Sequence, residues 1–198
     1  MITFNGGFMT TYFTVDRINR VNEGDVFSLI TDFSATHCFE FEGFFTHEDN
    51  YNLIGEYYPN GISRHGQSYL CGYPSFAKKT KNNQFVPKDD VIEAIFELVR
   101  RLEFPELPSR MSSMFAWQSL NDALAFANSN HIGGFKIHEV ETESENIFIG
   151  DMNFLKTGGQ VINSYVLARK YWSGETSSSP ILEVLIPLPV TIGKEVEI

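Results

Sequence analysis

The chain has 198 residues, 42% of them apolar and 14% aromatic, with a formal charge of −10. A chain of this length and composition buries a real core as one domain, which excludes disorder as its main state. The excess of Asp and Glu excludes a long phosphate-tracking groove, which needs clustered Lys and Arg; the one basic cluster, Lys78, Lys79 and Lys81 around Thr80, reads as a solvated loop.

In chain order, residues 10–15 (TTYFTV) read as a first strand, rich in β-branched and aromatic types. Turn residues Val21-Asn22-Glu23-Gly24-Asp25 follow, then a short extended segment at Val26–Ile30. Residues 31–88 carry aromatics among Gly, Pro, Asn and Ser without a helical period, and read as a loop-rich insertion facing a substrate. Within it, Ser63-Arg64-His65-Gly66-Gln67 is a polar cluster after the turn Pro59-Asn60-Gly61; it reads as a plain loop, with His65 as a base or phosphate ligand and Arg64 as an anion ligand in the functional alternative. Residues 89–103 give a helix: Val91, Ile92, Ile95, Phe96, Val99 and Leu102 form an apolar stripe, and Glu93, Glu97, Arg100 and Arg101 cover the other face. Asp90 and Glu93 have capping-box spacing, and Phe104-Pro105 ends the helix. Ser113–Trp117 (SMFAW) reads as a buried strand, and Ser119 with Asp122 opens a second helix. Strands are expected at 135–142 and 146–150, and a helix at 160–172 with Val161, Tyr165 and Ala168 on one side. Two closing strands, 181–186 and 190–198, flank Pro187-Leu188-Pro189. The irregular order of strands and helices, with no glycine-rich phosphate loop, gives an α+β fold.

Cys38 and Cys71 have neither a CxxC pattern nor metal-ligand spacing, and His37, Cys38, Glu40 and Glu42 match no standard metal site. No metal is expected, and two thiols without a disulfide framework fit a reducing, cytoplasmic setting. Met1–Met9 does not read as a secretory signal, and no apolar run approaches the ~20 residues that span a membrane.

Three segments carry a resemblance. Pro180-Ile181-Leu182-Glu183-Val184-Leu185-Ile186-Pro187 sets one Glu in an apolar strand before a final strand. Ser112-Ser113-Met114-Phe115-Ala116 is followed by a helix with Ala123 and Ala127, and Tyr12-Phe13-Thr14-Val15-Asp16-Arg17 precedes Glu23-Gly24-Asp25-Val26. Taken from the N-terminal segment to the C-terminal one, they resemble the ADP-ribosyltransferase-like superfamily, in a divergent bacterial and phage layout that also carries Ser109-Arg110, Asp151-Met152 and Tyr171-Trp172. The resemblance covers about half the chain. It implies a single domain over 1–198, with split antiparallel β-sheets and flanking helices. It implies NAD as substrate, ADP-ribosyl transfer to a protein or nucleic-acid acceptor, and hydrolysis as the variant with water.

Under this resemblance Glu183 is the catalytic carboxylate, stabilising an oxocarbenium-like ribose. Thr14, Arg17, Arg110, Ser112, Ser113 and Phe115 are the NAD-binding residues, with Arg17 and Arg110 on the pyrophosphate. Tyr12, Phe115 and Trp172 are stacking or core aromatics. The chain departs from the family at Thr14, where one branch has His, at Met114 or Phe115, where that branch has Tyr, and at Ile181, where another branch has a second Glu. The alternative is a catalytically inactive binding protein on the same fold.

Overall fold

The computed structural model describes residues 10–33, 38, 43–72, 77–79, 85–87, 89–129, 134–157 and 159–198. In chain order the elements are β1 (Thr10–Asp16), β2 (Val26–Phe27), α1 (His47–Tyr57), α2 (Arg64–Leu70), β3 (Ala77–Lys79), β4 (Phe85–Pro87) and α3 (Asp89–Glu103). A 3₁₀ turn at Arg110–Ser112 leads into β5 (Ser113–Ala116), then α4 (Leu120–Ser129), β6 (Lys136–Thr142) and β7 (Phe148–Asp151). A second 3₁₀ turn at Met152–Phe154 precedes α5 (Val161–Trp172), β8 (Leu182–Pro187) and β9 (Val190–Glu195).

The fold is α+β. One antiparallel sheet has the order β1-β6-β9-β2, another has the order β5-β8-β7, and β3 and β4 form a separate ribbon. The two larger sheets meet where β1 passes the end of β5. There Phe13 and Trp117 exchange backbone hydrogen bonds of 2.9 and 2.8 Å, and the Thr14 hydroxyl donates to the Phe115 carbonyl at 3.0 Å. The strands that carry the sequence resemblance are therefore neighbours, in the order β8, β5, β1.

Alternation along the strands builds the core. Val184 and Ile186 of β8 pack with Tyr12, Ala116, Val140, Val190 and Ile192 between the sheets. Leu185, on the opposite face of β8, packs with Phe96 and Val99 of α3, Phe148 of β7, and Ala168, Tyr171 and Trp172 of α5. Tyr12 and Trp172 are thus core aromatics, and the Trp172 indole N–H donates to the Phe96 carbonyl. Val161 and Tyr165 of α5 face outward, so of the residues expected on one side only Ala168 is buried.

Two expectations are corrected. Residues 31–88 contain two helices besides the β3–β4 ribbon. Thr46 and Asp49 close a reciprocal capping box on α1, and the Ser63 hydroxyl accepts from the Gly66 N–H to open α2. Each helix buries a single residue of its own, Ile54 in α1 and Gly66 in α2, so neither writes an apolar stripe into the sequence. The polar face of α3 is also not a solvent face: Glu93, Glu97 and Arg100 are all buried, while Leu102 is 72% exposed. Of the capping box expected at Ser119 and Asp122, the N-cap bond is formed, with the Asp122 N–H on the Ser119 hydroxyl at 3.2 Å, and that hydroxyl donates to Asp122 Oδ2 at 2.6 Å.

Candidate functional site

The site is built around Arg110. Its segment is tied to α3 by Glu97, whose carboxylate accepts from Arg100 (2.9 and 3.0 Å), from Arg101 (3.1 Å) and from the Ser109 hydroxyl (2.9 Å). One turn earlier on α3, Glu93 accepts the Arg110 fork at 2.9–3.1 Å. The remaining face of the guanidinium turns to β8 and α5. Nη1 donates to the Tyr171 hydroxyl at 2.9 Å and to Glu183 Oε1, and the Tyr171 hydroxyl donates to the same Oε1 at 2.6 Å. Among the described residues no hydrogen bond ends on Glu183 Oε2.

Tyr171 reaches Glu183 because Gly150 lies opposite Glu183 on β7. A Cβ at Gly150 would come within 2.3 Å of the Tyr171 ring. Glu183 is 2% exposed and sits on the central strand of its sheet, so it is not a strand-edge carboxylate pointing to water.

Burial alone would lower the proton affinity of Arg110, but the Glu183 and Glu93 charges outweigh it and hold the guanidinium well above its ordinary value. Burial would raise Glu93; Arg110, with His65, overcomes this and brings the carboxyl down to about 2. Burial and then the Glu183 charge push the Tyr171 phenol well above its usual range, so it remains a donor. A carboxyl depressed by folding adds stability that is complete above its ordinary value and is lost as the pH falls toward its folded value. For Glu93 that window runs from about 4.5 down to about 2. Asp16, through its backbone hydrogen bonds, and Asp151, through the Ser177 side chain and then backbone hydrogen bonds, overcome their desolvation and shift in the same direction from 3.8. We expect the urea midpoint to fall steadily below pH 4.5, and the Glu93→Gln variant to show a shallower fall.

Two adjoining cavities of about 440 and 340 Å³ open over this network and share Arg17, His65, Phe115 and Trp117. The larger is also lined by Thr14, Ser113, Met114 and Arg64, and the smaller by Arg110, Glu93, Tyr69 and Glu183. Arg17, Arg110 and Glu183 thus converge on one cleft. Phe115 lies beneath the Arg110 guanidinium, 4.7 Å from it. The Ser113 hydroxyl is bound to the Ser109 carbonyl at 2.7 Å, and Ser112 lines neither cavity. Arg110 departs from its expected role as a pyrophosphate ligand: its fork is committed to Glu93, Tyr171 and Glu183. Among the described residues Arg17 and Arg64 have no ion pair, and they lie over the Phe126 and Phe27 rings, at 5.0 and 5.2 Å.

The Ser63–Gln67 cluster is a wall of this cleft and not a plain loop. Gly66 makes that possible, because a Cβ there would stand 2.2 Å from the Met111 carbonyl oxygen. The Ser63 N–H and hydroxyl both donate to that oxygen, at 2.7 and 3.0 Å. His65 follows directly, with Nε2 3.3 Å from Glu93 Oε1. Glu93 and Tyr171 are the site residues that sequence reasoning assigned elsewhere, to a cap and to a family step.

Residues 12–198 match the model of a family described as a protein of unknown function, DUF2441. The chain belongs to the DUF2441 family. The match spans every residue of the cleft, from Thr14 to Leu188. No curated protein matches the chain. Among the described residues no group of three or more His, Cys, Asp and Glu is arranged to hold a metal ion, and no helix is long and apolar enough to cross a membrane. His37, Glu40, Glu42, Thr80 and Lys81 lie outside the described residues; Cys38 is buried in the core with Cys71.

Proposed function

We propose that this cleft binds NAD and cleaves its nicotinamide–ribose bond, passing ADP-ribose to a protein or nucleic-acid acceptor or to water, with Glu183 as the catalytic carboxylate. One observation carries the reading. The three segments that resemble the ADP-ribosyltransferase-like superfamily form adjacent strands around one cleft, and the Glu of the third is held there with one oxygen unclaimed. A buried carboxylate beside the sugar stabilises the positive charge that develops as nicotinamide leaves. Arg17 and Arg64 take the role of phosphate ligands, since guanidinium forks with no ion pair among the described residues of so acidic a chain match phosphate oxygens in charge and shape. The two cavities fall within the ~300–1,000 Å³ typical of small-molecule sites. A second reading, a non-catalytic binding protein of the same fold, is favoured by Thr14, which stands where one branch of the superfamily has His, and by Met114 or Phe115, one of which stands where that branch has Tyr.

NAD at a hundred times its Kd adds about 2.7 kcal/mol, or roughly 5–10 °C in Tm for a domain of this size. Release of nicotinamide distinguishes cleavage from binding. Arg17→Ala and Arg64→Ala are each expected to weaken NAD binding about tenfold or more, the loss of one charge-assisted contact. Neither a thermal shift nor nicotinamide release from the wild-type chain would remove this reading.

A further inference from the structure

We infer that His65, oriented by Glu93, is the base that accepts the proton of a hydroxyl acceptor. This rests on the reading of the cleft as an NAD-cleaving site and adds to it a second catalytic group and a class of acceptor. His65 stands where the two cavities join. Its ring is held between Tyr69 and Phe115, with centroids 4.6 Å from each. Nε2 faces Glu93 Oε1 at 3.3 Å, and Glu93 is buried and fixed by the Arg110 fork. Nε2 is buried and makes no hydrogen bond, but the Glu93 carboxylate 3.3 Å away, ionised at neutral pH, favours the proton on that nitrogen by its charge and leaves the other as an acceptor. Among the described residues Nδ1 has no hydrogen-bond partner. The same Arg110 binds Glu93 and Glu183, so the base and the carboxylate that stabilises the sugar hang from one guanidinium.

The step balances without a further reagent. The C1′–nitrogen bond breaks, and nicotinamide leaves as a neutral molecule with the bonding pair. The acceptor oxygen forms the new bond to C1′, its proton passes to Nδ1 of His65, and solvent takes it from there. A hydroxyl must lose its proton as it bonds, which is the task a positioned imidazole performs. Water is the smallest such acceptor.

The test uses the full chain with NAD and water as acceptor, reading nicotinamide release across pH. The charged and titratable groups facing His65 are Glu93 from α3, Tyr69 from α2, Arg110 behind Glu93, and Arg17 and Glu183 across the cleft. Glu183 must also be ionised, so the limb that belongs to His65 is the part of the acid-side fall that His65→Gln removes. We expect His65→Gln to lower kcat about 10²-fold or more, with KM for NAD changed less than about threefold and the acid limb flattened. His65→Asn, checked for an unchanged melting profile, should behave alike. A ¹⁵N spectrum of the imidazole should place the proton on Nε2. Retention of kcat within about threefold in either folded variant, or a proton resident on Nδ1, overturns the base while leaving NAD cleavage standing. Absence of nicotinamide release from the wild-type chain overturns NAD cleavage, and the base with it.

Discussion

Replacing Arg110 with Met is expected to cost about 3–5 kcal/mol of folding stability, the price of leaving a buried charge without its partner, and to lower Tm by roughly 10 °C. The size follows from the count of groups left behind. Glu93 and Glu183 are 4% and 2% exposed, and both take their principal cationic partner from this one guanidinium. Met fills much of the volume but supplies none of the four donor contacts to carboxylate oxygen. The two carboxylates would then share a site with no intervening positive charge. The expected response is proton uptake, so the variant should lose more stability at pH 8 than at pH 5. Arg110→Met combined with Glu93→Gln should recover part of the loss, because it removes one of the stranded charges; a double-mutant cycle in urea measures the coupling. A cost below about 1 kcal/mol for Arg110→Met would mean that the network does not organise the cleft.

How much of this was legible in the sequence depended on whether a residue's role is local. The stripe on 89–103 repeats at the helical period, the SMFAW strand and the run around Glu183 are short, mostly apolar runs of strand length, and the structure forms all three. The helices at His47–Tyr57 and Arg64–Leu70 follow a different logic, since caps and one tightly seated glycine define them and no stripe exists to be read. The Thr46-His47-Glu48-Asp49 capping box was a visible signal for the first of them. Glu93 was misread because its spacing from Asp90 matches a capping box, while its partner Arg110 lies seventeen residues away around a turn. Tyr171 needs a longer chain of inference still. Its role depends on Gly150 pairing with Glu183, a register between β7 and β8 that no local pattern encodes. The assignment of Arg110 to a phosphate rested on the chemistry of its fork, and the fork is used, but by protein carboxylates. Arg64 lies within the least legible region, and the packing of α2 onto the 110–112 turn helps bring it to one cleft with Arg17.

Glu183→Gln is expected to lower the rate of nicotinamide release about 10²–10³-fold, the scale set by removing one preorganised electrostatic contact to a developing charge, while NAD still binds. Gln is the informative replacement because it keeps an acceptor oxygen for the Tyr171 hydroxyl and for Arg110 Nη1, the two donors on Oε1. Arg110 retains Glu93 in that variant, so no buried charge is stranded. Stability should therefore change by no more than about 1–2 kcal/mol, far less than in Arg110→Met. Glu183→Ala lacks this control, since it removes the acceptor and opens a void beneath Tyr171, and its inactivity would not separate chemistry from collapse. The distinguishing result is a variant with near wild-type Tm, a preserved thermal shift with NAD, and little nicotinamide release. Under the proposed NAD cleavage Oε2 would be the oxygen left for the ribose, and an amide nitrogen in its place would offer a donor dipole where that reaction needs negative charge. If Glu183→Gln kept wild-type turnover, the carboxylate would be a structural partner of Arg110, and the chemistry would belong to another group in the cleft.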